Sequence, residues 1–200
     1  TEFVKNGGIL ITTFMSGIVN ESDNVYLGGY PGPLRELAGV WVEEIDALAP
    51  EQTNKITFAD GTSSTCSLLC DLIHLEGAQS VASYESNFYA GMPAITKNQY
   101  GKGYTYYIGT NPTEDGIVKV LDMAVQTAGV TSVVSVATGL EITCRKTDRF
   151  TYYFIFNFKD KVLPLPENFI GQKDLLTGEI IPEGCHLKQY DAYLVAFPNE

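Results

Sequence analysis

The sequence predicts an α/β layer followed by a small all-β domain, and three observations carry that prediction. Residues 1–48 run from a helix end through a strand, a Gly/Pro-rich loop and a short helix to a second strand. A β-hairpin and a well-signalled helix follow near 94–129, so strands and helices share one layered unit. Beyond "AGVTSVVSVATG" the helical period disappears, and short runs of alternating aromatic and polar residues take over. The expected domains are 1–135 and 136–200.

The chain opens on "TEFVKNGG", the last turn of a helix stopped by Gly7 and Gly8, and "ILITTF" follows as a buried strand. An opening in mid-element implies that the chain begins inside a larger polypeptide. After a loop at 20–39, "VWVEEIDAL" alternates as a half-exposed strand. The runs "NKITFAD", "TCSLLCDLIHLEG" and "QSVASYES" are β-prone and separated by turn residues, and they are expected to form a β-rich insertion. Strands at 94–97 and 104–108 make a hairpin through 100–103, with Gly101 and Gly103 free to take positive φ. A helix starts at Thr113, its expected cap, and ends at Gly129. Ile117, Val120, Leu121, Ala124, Val125 and Ala128 trace the face expected to pack on the sheet. In the second domain "LEITCRKT", "FTYYFIFNFKD", "KVLPLPE", "KDLLTGEII" and "HLKQYDAYLVAFP" are strands of an antiparallel sandwich. Phe150, Tyr152, Phe154 and Phe156 share one strand face, and a small domain is expected to use those rings as its core.

Composition and motifs then exclude most functions. A net charge of -11, with 13 Lys and Arg scattered along 200 residues, leaves no basic face for nucleic acid. No membrane-length apolar run or signal peptide is visible, so a cytoplasmic location is expected. Cys66, Cys70, Cys144 and Cys185 form no CxxC, and His74 and His186 lie apart, which argues against zinc and for free thiols. No phosphate-binding glycine motif or nucleophile elbow occurs, so no cofactor is expected. Glu43 and Glu44 are strand neighbours pointing to opposite faces, unable to flank a glycosidic bond. No catalytic residues are therefore assigned.

One segment remains unexplained by these exclusions. "NESDNVYLGGYPGPLRELAG" is stiff at Pro31 and Pro33 and adaptable at Gly28, Gly29 and Gly32. It can hold Tyr26, Leu27 and Tyr30 toward a neighbouring surface, so Tyr26, Leu27, Gly28, Gly29, Tyr30, Pro31 and Arg35 are the candidate interface or pocket-rim residues. The alternative is that this loop only covers a sheet edge.

Residues 6–48, with "SGIVNESD" and "LGGYPGPLR", closely resemble the middle domain of glycoside hydrolase family 42 β-galactosidases. "PAITKNQYGKGYTYYIGT" resembles the end of the same domain, and "DLLTGE" looks like a signature of that family's C-terminal β domain. The resemblance implies a Rossmann-like trimerisation domain, related in fold to class I glutamine amidotransferases, followed by a β domain. It also implies a homotrimer acting on β-galactosides, with both catalytic glutamates in a barrel this chain lacks. A carbohydrate-binding module or an amidotransferase-like domain is the alternative reading.

Overall fold

The computed structural model describes residues 1–134 and 139–199, which divide between two compact units, Thr1–Val130 and Thr131–Glu200. The boundary expected between 135 and 136 lies outside the described residues.

In the first unit a one-turn helix, α1 (Glu2–Lys5), leads through Gly7 at φ 112° into β1 (Ile9–Thr13). The loop after β1 ends in a 3-10 turn and α2 (Arg35–Ala38), closed by left-handed Gly39. Then come β2 (Val40–Ala47), β3 (Asn54–Phe58), β4 (Ser63–Leu75), β5 (Gln79–Tyr84), β6 (Pro93–Tyr100), β7 (Gly103–Ile108), β8 (Thr110–Pro112) and α3 (Glu114–Thr127). The strands make one eight-stranded sheet in the order β1-β7-β6-β5-β3-β4-β2, with β8 paired to β4. Only β1 and β7 run parallel; the other pairs are antiparallel. The unit is therefore mostly β with few helices, a mixed sheet rather than a regular alternation of strands and helices.

The runs expected as an insertion, β3 to β5, lie inside this sheet and join its two ends. Strand pairing decides that, and sequence adjacency does not report it. The sheet is covered on both faces. Ile56, Cys66, Cys70, Leu72, Tyr106, Val120 and Ala124 belong to one core cluster. Val40, Val42, Ile73, Ala78 and Tyr107 form another with Ala38 of α2 and half-buried Tyr30. The near-continuous apolar run of β4 follows from burial on both faces.

Three local expectations change. Only Gly101 of the hairpin takes positive φ; at Gly103 a Cβ would stand 2.1 Å from the Gly8 carbonyl oxygen, so close backbone approach selects glycine there. The Thr113 hydroxyl makes no helix cap, because Ser64 (2.9 Å) and Asp115 (2.5 Å) engage it. Finally, α3 buries Gly116, Val120 and Ala124, whereas Leu121 and Val125 are exposed. Both stripes fit a period of 3.6, and small residues let the helix approach the sheet more closely.

In the second unit β9 (Glu141–Lys146), β10 (Phe150–Phe156) and β13 (Ala192–Pro198) form an antiparallel sheet in the order β13-β10-β9. Strands β11 (Leu163–Pro164) and β12 (His186–Leu187) pair separately. The core holds Ile155, Leu165, Phe169, Ile181, Leu187 and Val195, with Tyr153 packed against it. The expected aromatic core face is thus the wrong one: Phe150 is exposed and Tyr152, Phe154 and Phe156 are only half-buried. Two-residue periodicity groups these rings correctly but does not say which face turns inward. "DLLTGE" forms a tight turn in which buried Asp174 accepts the backbone N–H groups of Leu176 (3.1 Å), Thr177 (3.2 Å) and Leu194 (3.1 Å). Burial alone would raise its pKa, but these bonds and the Thr177 hydroxyl (2.7 Å) hold it below the ordinary value.

Candidate functional site: a pinned Gly/Pro loop

The loop between β1 and α2 is built from a small hairpin and a clamped base. Asn20 shapes the hairpin, its side-chain oxygen accepting the N–H groups of Ser22 (2.9 Å) and Asn24 (3.0 Å). Val19 bridges Val25, and the Tyr26 N–H reaches the Ile18 carbonyl at 2.9 Å. Past this hairpin the chain turns through Gly28 and Gly29, both at positive φ. Gly29 lies flat on the Trp41 indole, where a Cβ would meet Nε1 at 2.1 Å. Only glycine fits that contact and that φ.

Two clamps hold the base. Arg35 donates to Glu76 Oε2 at 2.6 Å, pairs with Glu76 Oε1, and donates to the Gly28 carbonyl at 2.9 Å. Its guanidinium also lies 5.6 Å from the centre of the Trp41 ring. The second clamp is buried. Tyr30 donates its hydroxyl to Asp71 Oδ1 at 2.8 Å, and Tyr107 donates to Oδ2 at 2.7 Å. Asp71 is wholly buried on β4, and its desolvation pushes the pKa up to about 6 although both phenols act to lower it. Burial and the carboxylate push both phenols well above the tyrosine range, so they stay protonated donors. Backbone pairing adds a third tie, from the Val42 N–H to the Tyr30 carbonyl at 2.8 Å.

The seven candidate residues therefore divide. Tyr30 and Pro31 turn inward, while Gly28, Gly29 and Arg35 form the base. Tyr26 is half-buried. Leu27, just past the hairpin, is 99% exposed, and Val25 on the hairpin is 64% exposed. Asp71, Tyr107 and Glu76 were not among the candidates. The signal for Asp71 was an acid interrupting the apolar run "LLCDLIHL".

Elsewhere, Glu43 bonds half-buried His74 at 2.7 Å, and His74 stacks on Trp41 with centroids 4.8 Å apart. A bulge separates Val42 from Glu44, and both glutamates face solvent. Cys66 and Cys70 are buried free thiols, and Cys144 and Cys185 are half-buried. Among the described residues no three His, Cys, Asp or Glu converge on a metal position, and no helix is long and apolar enough to cross a membrane. What this arrangement can do is present a rigid, partly apolar surface.

Comparison with known proteins places these features in context. The family described as the β-galactosidase trimerisation domain matches residues 1–131. The chain is 48% identical to β-galactosidase LacZ of Lactobacillus acidophilus over 89% of its own length and 27% of that protein. It is 44% identical to β-galactosidase BgaP of Planococcus sp., covering 97% of this chain and 29% of the relative. Among solved structures, a β-galactosidase from Bacillus circulans sp. alkalophilus superposes with a TM-score of 0.86 at 36% identity, over 98% of this chain and 30% of that one. A catalytic mutant of Gan42B, a GH42 β-galactosidase from G. stearothermophilus, gives 0.83 at 32%, over 99% and 29%. The chain spans less than a third of the length of these relatives.

Proposed function

Because the chain belongs to the β-galactosidase trimerisation domain family, we propose that it is a non-catalytic scaffold of a glycoside hydrolase family 42 enzyme that releases terminal β-galactose. Its task is to bring three copies together, the active site being carried by other parts of the enzyme. The observation that carries this reading is the family match over residues 1–131, the unit that also contains the pinned loop. A preformed loop loses little conformational entropy on docking. An exposed apolar side chain on a pinned base has the form of an interface anchor. We assign Leu27 that role, with Val25 and Tyr26 beside it and Gly28, Gly29, Tyr30, Pro31 and Arg35 as its support.

In the same reading the mixed sheet is part of a Rossmann-like layer, with β1 and β7 as its parallel portion and α3 on one face. A cytoplasmic location belongs with it. An amidotransferase-like activity is disfavoured, because Cys66 and Cys70 sit within β4 rather than on a strand-to-helix turn. The purified chain tests the proposal in two assays: it leaves a chromogenic β-galactoside intact, and light scattering reports a trimer. Turnover of the galactoside, lost when the chain is removed by antibody, would refute the scaffold reading.

A further inference from the structure

A second polar and aromatic site lies away from the pinned loop. Asp46, Leu48, Gln52, Thr53, Asn87 and Phe88 line a surface recess of about 390 Å³, within the size range of small-ligand pockets. From these residues we infer that the recess binds one neutral pyranose ring, with Phe88 as its stacking platform.

The recess is preorganised from beneath. Tyr89 is fully buried, and its hydroxyl donates to Asp46 Oδ2 at 2.7 Å while accepting from the Asn87 amide at 2.8 Å. One phenol thus fixes a carboxylate and a carboxamide together, and Asp46 Oδ1 is left for a ligand hydroxyl. Buried Asn54 holds the adjoining Ser86 by its N–H (3.2 Å), hydroxyl (2.5 Å) and carbonyl (3.1 Å). Gln52, also in the lining, fastens its side-chain oxygen to the Ala49 N–H at 3.1 Å, which leaves its NH2 to donate. Phe88 is 79% exposed, and its ring is set edge-to-face on Tyr89 at 5.0 Å. Its exposed face is open to the C–H face of a ligand ring.

The lining selects the ligand class. It carries one carboxylate and no cationic side chain, which disfavours phosphate and other anions. Carboxylate and carboxamide groups offer acceptors and donors at close spacing, matching vicinal hydroxyls. An aromatic face suits the C–H face of a sugar ring. The inference rests on the scaffold reading only for its choice of a galactoside as probe.

The test is a titration of the 15N-labelled 200-residue chain with methyl β-D-galactopyranoside, followed by amide shifts. Saturable shifts at the amides of 46–53 and 87–89 are expected. Phe88→Ala and Asp46→Asn should each weaken binding about 10-fold while leaving the melting curve in place. No saturable shift up to about 100 mM, or shifts that persist in both variants, would overturn the inference. So would equal shifts with glycerol, or shifts produced by tetramethylammonium alone. A chain that forms the trimer proposed above yet ignores the glycoside overturns the recess and leaves the scaffold standing.

Discussion

Substituting Asp71 with Asn tests the buried clamp through pH. In the folded chain the Asp71 carboxyl titrates near 6 instead of its ordinary 3.8, because it is wholly buried. The native state therefore holds this proton more tightly than the unfolded chain does. Stability from this group is fully present below about pH 3.8 and is lost as pH rises through 6. At 1.36 kcal/mol per unit of pKa, the total loss from well below pH 3.8 to well above pH 6 is about 3 kcal/mol. An Asn side chain does not titrate. It also fails to accept from both phenols, which adds a cost that is the same at every pH. The readout is thus the difference in slope. Urea denaturation, followed through the single tryptophan, Trp41, reports on the unit that contains the clamp. Wild type should lose about 2.4 kcal/mol more than Asp71→Asn between pH 4 and pH 7. Tyr107→Phe removes a bond that lowers the Asp71 pKa, so it should move the window upward. Parallel pH profiles for wild type and Asp71→Asn would refute the argument that this carboxyl is desolvated.

Three further outcomes are expected. Gly29→Ala forces a Cβ against the Trp41 indole at φ 86°, costs about 1–3 kcal/mol and changes tryptophan emission; an unchanged melt and spectrum would contradict the close contact. Asp174→Ala strands three backbone N–H groups in the second unit and costs about 3 kcal/mol, read by circular dichroism during heating. Arg35→Gln breaks a half-exposed ion pair worth under about 1 kcal/mol, so stability barely moves, but hydrogen exchange at Gly28 and Gly29 quickens.

Local signals in the sequence were enough for β1, the β6–β7 hairpin and α3, because turn and periodic residues act over a few positions. What stayed hidden depends on long-range pairing. Tyr30 meets Asp71 across 41 residues and Tyr107 meets it across 36, and nothing in the loop itself signals either partner. The centrality of β3 to β5 has the same cause, since β3 pairs with β5, and β4 with β2 and β8, none of them its next neighbour along the chain. On β10, alternation separated Phe154 from Ile155, and only the packing of Phe169, Ile181 and Leu187 determined that Ile155 faces the core. Exposure was equally illegible: in "NVYLGGY" Leu27 and Tyr30 look equivalent, yet one faces solvent and the other a buried carboxylate.

Assembly through Leu27 is the claim on which the account turns, and sedimentation equilibrium of the wild-type chain beside Leu27→Asp measures it. The wild type should sediment with three times the monomer mass and the variant as a monomer, with the same fold by circular dichroism. A wild-type monomer, or a Leu27→Asp chain that still forms the trimer, would contradict it.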